Sequence, residues 1–502
     1  MSAPIAVIGA GFGGLAAAVR LRAMGHSVVV LEANEQPGGR ASVWRRDGFT
    51  WDAGPTVITA PYLFEELFAL VGRDPRDYYE LVPTDPFYRV IFADGQKFDY
   101  VGDEERLIAQ IAAISPRDVE GYRRLVKKAQ EIFEVGYVGL ADKPFSNFGD
   151  MVRIVPELVR LGAWRSVWSM VSSYIQDDRL RRVLTFEPLL IGGNPFNAPS
   201  IYLLIHWLER KWGVWFPRGG TGAMVNALVR LLAELDVPVR VNAPVAEIEV
   251  EGGRATAVRL EDGERIVVSG VVCNGDPSTV YTNLVQAKHR RVNTDASVAR
   301  VRQSPSLFVT WFGAKQTFPD LAHHTILLCD RYEGLLGDIF DRRKLADDFS
   351  LYLHAPTRTD ASLAPPGHEA FYLLSPIPNQ LGKVDWTKEK DAYEEKILAD
   401  VERRVAPGLR ASLTHRFSID PSYFADRLRS RHGAAFGPEP RLTQSAWFRY
   451  HNQSEDVEGL YFVGAGTHPG AGVPGVLSSA KVLERVMHRP EVAVPLPGRR
   501  VA

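Results

Sequence analysis

The 502-residue chain is short of several things at once. It has 2 cysteines, Cys273 and Cys329, far apart and in no metal-ligand spacing. That excludes a disulfide framework and fits a reducing compartment. Both cysteines read as small buried apolar residues. The chain also has almost no net charge, with 59 Lys and Arg against 60 Asp and Glu. No global field recruits nucleic acid or anionic lipid, so a nucleic-acid partner is not expected. Long apolar runs are missing too. Residues 1–19 carry no charged side chain, but no basic segment precedes them and they are dense in glycine, unlike a signal sequence. The uncharged stretches 188–208 and 459–480 are broken by Gly and Pro. None of the three reads as a spanning helix, which needs ~20 mainly apolar residues. Internal repeats and low-complexity linkers are absent as well.

What remains is ordinary globular material, 45% hydrophobic and 24% charged, enough for two or three domains at ~150 residues each. The opening reads strand, turn, helix, strand. Ile5-Ala6-Val7-Ile8 is a short β-branched run, residues 9–14 are a tight turn, and residues 15–24 have helical composition and stop at Gly25. Residues 27–31 form the next strand, completing a βαβ unit of a doubly wound parallel sheet. From about 104 to 211 the chain turns helical, with Trp164, Val167, Trp168, Val171, Tyr174 and Ile175 at helical spacing. Strand signals return over 214–276, residues 280–440 are mixed, and 459–487 reads strand, Gly-rich turn, helix.

The turn Gly9-Ala10-Gly11-Phe12-Gly13-Gly14 fits the dinucleotide fingerprint, with Gly9, Gly11 and Gly14 in the three glycine places. The first makes the turn, the second lets backbone approach a pyrophosphate, and the third lets helix pack on strand. The helix then offers free N–H groups and its positive end to the phosphates. Glu32, at the end of the second strand, can accept hydrogen bonds from ribose hydroxyls. Gly38-Gly39-Arg40 suits a second approach to the phosphates, with Arg40 as a charge-assisted partner. Gly219-Gly220-Thr221-Gly222 also opens a helix, but no acid follows the next strand, so it reads as a structural loop and not a second nucleotide site.

These segments resemble, in order along the chain, the bacterial-type phytoene desaturases of the flavin amine oxidase superfamily. The most specific stretch is Gly459-Leu460-Tyr461-Phe462-Val463-Gly464-Ala465-Gly466-Thr467-His468-Pro469-Gly470-Ala471-Gly472-Val473-Pro474-Gly475. Residues 52–59, Ile191-Gly192-Gly193-Asn194-Pro195-Phe196, residues 213–222 and Gln444-Ser445-Ala446-Trp447-Phe448 continue it. Two segments depart: Tyr450-His451-Asn452-Gln453-Ser454 stands where the family usually has Pro-His-Asn-Arg-Asp, and Glu187-Pro188 replaces a more usual polar or histidine pair.

The resemblance implies an α/β fold: a Rossmann-like FAD-binding domain (1–103, 213–280 and 441–502), a discontinuous substrate domain of mixed sheet (281–440) and a helical lid (104–212). It implies non-covalent FAD held by Gly9, Ala10, Gly11, Phe12, Gly13, Gly14, Glu32, Gly39, Arg40 and the backbone of Val245. Gly54, Pro55 and Thr56 should lie near the flavin ring, with Val473, Pro474 and Gly475 at its pyrimidine side. Gly464, Ala465 and Gly466 should sit by the pyrophosphate and ribityl chain. The activity implied is stepwise desaturation of phytoene, an apolar polyene precursor, toward neurosporene or lycopene. Oxygen or a quinone would take the electrons onward. Other carotenoid enzymes, a flavin amine oxidase and a redox-inactive lipid-binding escort are the alternatives.

An apolar substrate suggests a cytoplasmic enzyme attached peripherally to the membrane lipid surface. Residues 151–175, with Trp164 and Trp168 and flanking Arg153, Arg160 and Arg165, have interfacial composition. Asp150, or else Glu187 ahead of the 192–194 loop, is the candidate catalytic carboxylate. His323-His324 is set aside as a metal doublet, because neighbours on a strand point opposite ways.

Overall fold

The computed structural model describes residues 3–497. A five-stranded parallel sheet stands at its centre, in the order Leu460–Phe462, Gly270–Cys273, Ile5–Ile8, Val28–Leu31 and Val239–Arg240. The middle three strands are four residues each and almost entirely buried, which is why they read as unbroken apolar runs. The helix Phe12–Ala23 packs under them with Thr221–Glu234 and Val473–Val486. The buried Arg20 ties two neighbours to it, through Glu66 of Tyr62–Leu70 at 3.2 Å and Glu484 of Val473–Val486 at 2.5 Å. Segments from both ends and the middle of the chain therefore build one unit.

The second unit is a seven-stranded mixed sheet, ordered Leu413–Ile419, Ser306–Ala314, Glu369–Ile377, Leu351–His354, His324–Leu327, Tyr88–Ile91 and Lys97–Tyr100. Every pairing in it is antiparallel except His324–Leu327 with Tyr88–Ile91. Here the expected boundary at residue 103 is wrong. The strands at 88–91 and 97–100 add to the edge of the substrate sheet, so the first nucleotide-binding segment ends before them. Their alternating burial is what a half-covered edge hairpin gives, and it carries no label of which sheet it joins.

Helices fill most of 104–212. The apolar stretch 151–175 is not one helix. Phe148–Leu161 stops at Gly162, which takes a left-handed φ of 74°, and Val167–Ser172 starts afresh with Ser166 capping the N–H of Ser169. Helical spacing of the aromatics runs across that break without seeing it.

Candidate functional site

A single cavity of about 1190 Å³ runs from the carboxyl ends of the parallel strands into the space between the mixed sheet and the helices. Ligands bind at that end of an open α/β sheet. The volume exceeds the ~300–1,000 Å³ of an ordinary small-molecule pocket, so it has room for more than one occupant.

At the sheet end the wall is backbone and small side chains. Gly9, Gly11, Phe12 and Gly13 line it, and so do Gly39 and Arg40. Ala10 and Gly14 lie just behind. Ala10 donates its N–H to Glu32 Oε2 at 2.8 Å. A Cβ on Gly14 would fall 1.9 Å from the carbonyl oxygen of Gly9, so helix and turn close on each other only with hydrogen there. Asn274, at the end of Gly270–Cys273, fills the cradle from below. A Cβ on Gly13 would meet its Oδ1 at 2.4 Å, and one on Gly11 its Nδ2 at 2.8 Å.

Glu32 faces the same space and also accepts the N–H and Nδ2 of Asn34, both at 2.9 Å. Oε1 is then fully engaged, while Oε2, which receives Ala10 alone, keeps a further lone pair for a ribose hydroxyl. Arg40 is held differently from the sequence expectation. Its Nε donates to the carbonyl of Ala435 at 2.7 Å and a terminal nitrogen to Ser430 Oγ at 3.0 Å, so part of its donor set anchors the 430–435 segment over the cavity. Val245 and the Gly54-Pro55-Thr56 segment reach the wall, as do Ala465, Val473, Pro474 and Gly475. Gly464 and Gly466 do not. They pack against Asn274 and Pro277, holding the loop that presents Ala465. The buried Arg449 braces that loop from outside, donating to the carbonyls of Ala465 at 2.6 Å and Thr467 at 3.1 Å.

Toward the helices the wall becomes aliphatic, with Leu189, Leu190, Ile201, Leu204 and Ile205 prominent. The helix Phe148–Leu161 closes one side. Met151, Ile154 and Leu158, at i, i+3 and i+7, face the cavity. Phe148, Val152, Val155 and Val159 face out and are exposed, and Trp164 beyond the helix is 66% exposed. One helix thus carries apolar residues on both sides. Leu442 and Phe448, also exposed, sit beside it, with Trp447 packing edge-on against Phe148 at 5.0 Å. Trp168 belongs elsewhere, half-buried against Phe196.

The two candidate acids part company here. Asp150 is not on the cavity wall. It sits in the first turn of Phe148–Leu161, bonded to Asn147 and 3.4 Å from the guanidinium of Arg153, on the outer side. Its sequence neighbours line the cavity, but a helix turns 100° per residue and carries Asp150 away from Met151. Glu187 is wholly buried, with Oε1 3.3 Å from His206 Nδ1. The acid that reaches the aliphatic end of the cavity is Glu209, which receives the hydroxyl of Tyr88 at 2.7 Å. Burial pushes the carboxyls of both Glu187 and Glu209 well above the ordinary range, and Glu187 raises Glu209 further. Sequence reasoning missed Glu209, Asn274 and Tyr352. Glu209 opens the charged run Glu209-Arg210-Lys211, a pattern that in sequence marks a solvated helix face, while Asn274-Gly275-Asp276 directly after a parallel strand is a readable sign.

The histidine pair also differs from the expectation. His323 precedes its strand, so strand alternation does not separate it from His324; their rings are 4.4 Å apart. His354, directly across the ladder from His324, joins them, and ligand-type atoms of the three lie within 4.8 Å of one another. His323 Nδ1 pairs with Thr359 Oγ1 and His324 Nδ1 with Tyr352 hydroxyl, both at 2.6 Å. Tyr352 in turn meets Thr56 Oγ1 at 2.6 Å, so this cluster backs the wall of the cavity next to the Gly54-Pro55-Thr56 segment. Burial depresses all three histidines and keeps them neutral.

Comparison with known proteins shows the family and the fold. Residues 12–482 match the family described as flavin containing amine oxidoreductase. The chain is 50% identical over 487 residues to a phytoene desaturase (lycopene-forming) of Pantoea ananas, covering 96% of this chain and 99% of that protein. It is 43% identical to a phytoene desaturase (neurosporene-forming) of Rhodobacter capsulatus, covering 96% and 93%. Among solved structures, an oxidoreductase from Methanosarcina mazei superposes with a TM-score of 0.66 at 19% identity, covering 96% of this chain and 100% of that one. A putrescine oxidase superposes at 0.65 and 15%, covering 97% and 99%. At those identities the structures speak for the fold alone.

Proposed function

Since this chain belongs to the flavin-containing amine oxidoreductase family and, within it, to the bacterial-type phytoene desaturases, we propose that it desaturates phytoene stepwise toward neurosporene or lycopene. It is an FAD-dependent oxidoreductase. One observation carries the substrate reading: the cavity continues from the glycine cradle straight into an aliphatic tunnel. The cradle suits FAD, because the glycines at 11 and 13 leave no room for a side chain beside Asn274 and Glu32 waits at the ribose position.

Bound FAD supplies the hydride acceptor. The chain supplies the rest. The aliphatic walls hold a stretched hydrocarbon in one line and keep water out, so that an allylic C–H stays aligned. Thr56, held by Tyr352, fixes the wall where the ring is expected. Oxygen or a quinone takes the electrons onward.

The outer face of Phe148–Leu161 supports peripheral attachment to a lipid surface. Its exposed valines and Phe148, with Trp164 and the largely exposed Arg153 nearby, form the rim through which an apolar precursor enters from a bilayer. Among the described residues no helix is long and apolar enough to cross a membrane. The test is incubation of FAD-loaded protein with phytoene in vesicles, followed by pigment extraction. A visible polyene spectrum is expected; phytoene recovered unchanged under air and with added quinone overturns the reading.

A further inference from the structure

Each desaturation leaves a proton in a dry tunnel, and the chain has a buried line of titratable groups leading out of it. Glu209 is on the cavity wall, with Oε1 engaged by Tyr88 and Oε2 buried without a partner. Glu187, on the turn Glu187–Ile191, also has a buried, unpartnered Oε2, while its Oε1 lies 3.3 Å from His206 Nδ1. That nitrogen meets the hydroxyl of Tyr100 at 2.8 Å, and Nε2, on the other side of the ring, is 3.5 Å from the hydroxyl of Tyr122. Tyr122 is itself fully buried, on the helix Val119–Phe133, with the charges of Arg210 and the exposed Glu104 acting on it. Tyr332 faces Glu187 from the neighbouring helix. Both carboxyls are 1% exposed or less and neither pairs with a Lys or Arg, a costly arrangement for two acids in an apolar core.

We propose that Glu209 takes the proton that the polyene loses in each round and that Glu187 and His206 pass it away from the tunnel toward Tyr122. This rests on the desaturase reading above. The balance is simple. One allylic C–H bond breaks and its electron pair leaves with the hydrogen as hydride, accepted by FAD and passed on to the oxygen or quinone acceptor. The adjacent C–H bond breaks, its electron pair stays as the new C=C bond, and the proton bonds to a carboxylate oxygen of Glu209. Loss of that proton through Glu187 and the His206 ring restores the carboxylate for the next round. Tyr88, bonded to Glu209, packs against His324, which pairs with the Tyr352 that holds Thr56, so the acid lies toward the Gly54-Pro55-Thr56 side of the cavity.

Two acids in one apolar pocket hold a proton between them, so their shared ionisation lies above the ordinary carboxylate range and the base gains strength as pH rises. The experiment follows anaerobic bleaching of the flavin by phytoene from pH 6 to 9, in the FAD-loaded parent and in the Glu209→Gln and Glu187→Gln variants. The parent rate should climb with pH. Glu209→Gln should slow bleaching by ~10²–10⁴-fold and flatten its pH dependence while FAD stays bound. Glu187→Gln should slow it less and displace the profile. A deuterium-sensitive protonated-carboxyl band in the infrared difference spectrum between low and high pH should vanish in Glu209→Gln. Bleaching and band unchanged in Glu209→Gln overturn the relay. A parent that phytoene does not bleach overturns the desaturase reading, and the relay with it.

Discussion

The two ends of the cavity are built on opposite terms. At the sheet end the ligand meets backbone, and the constraint is room: a Cβ at Gly13 or Gly14 has nowhere to go. At the helix end the ligand meets side chains, and the constraint is chemistry: Leu, Ile and Val from separate segments with one acid among them. A backbone constraint writes itself into consecutive residues, so the sheet end was legible as a glycine motif followed by Glu32. A side-chain constraint is distributed over residues 151 to 209 and the mixed sheet, which meet only in space.

The largest effect should come from breaking the sheet end. Gly13→Val drives side-chain atoms into Asn274 and against Gly464, whose Cα lies 3.1 Å from an ideal Cβ. Purified Gly13→Val should carry no flavin absorbance, whereas Leu190→Val at the helix end should keep full occupancy and lose turnover only. Equal flavin content in the two variants would erase the distinction between the ends.

Acid should come next, because it acts on both ends through buried neutral imidazoles. Burial lowers His206 and His323 to about 3 and His468 to about 4. A histidine depressed in the folded state binds its proton first when unfolded, so its contribution is whole above pH ~6.5 and is lost as pH falls toward the folded value. Each adds up to ~1.4 kcal/mol of lost stability per pH unit in that window. Asp52 opposes them. Burial raises it to about 6, so its share is whole below its ordinary range and is lost as pH rises through 6. Thermal melts from pH 7 to 4 should fall steeply, and His323→Phe should make the slope shallower. A parent slope kept in that variant would mean that the histidine is already charged in the fold.

The comparison also explains what reading the chain achieved elsewhere. The βαβ opening and the doubly wound sheet were legible because short β-branched strands and glycine turns are local. The hairpin at 88–100 was misassigned because alternation shows that a strand is half-buried and not which sheet buries it. The stripe 151–175 reads as continuous because Gly162 and the Ser166 cap interrupt the helix without interrupting the apolar spacing.

A smaller effect separates the two faces of Phe148–Leu161. Val152→Ser with Val159→Ser and Trp164→Ser strips the outer face and should cut co-flotation with liposomes about tenfold, the equivalent of ~1.4 kcal/mol. Turnover of phytoene dispersed in detergent should hold. Leu158→Ser on the inner face should do the reverse. Loss of both properties in either variant would mean that the helix acts only as a packed wall.

The smallest effect is expected at Asp150, and it bears on why proximity in sequence misled. Asp150 stands one residue before Met151, which lines the cavity, and it is the kind of residue a cationic reaction would recruit. Yet in the first turn of a helix an acid already has two ordinary uses, meeting the positive end of the dipole and pairing with a residue one turn on. Asp150 does both, with Arg153 at 3.4 Å and Asn147 donating at 2.8 Å. Exposed pairs of this sort contribute ~0–1 kcal/mol. Asp150→Asn should therefore lower the melting temperature by a degree or two and leave the anaerobic bleaching rate within about twofold of the parent, far from the ~10²–10⁴ of a lost general base. A fall of a hundredfold with FAD still bound would place Asp150 at the substrate, and would require the helix to roll by about a quarter of a turn when the tunnel fills.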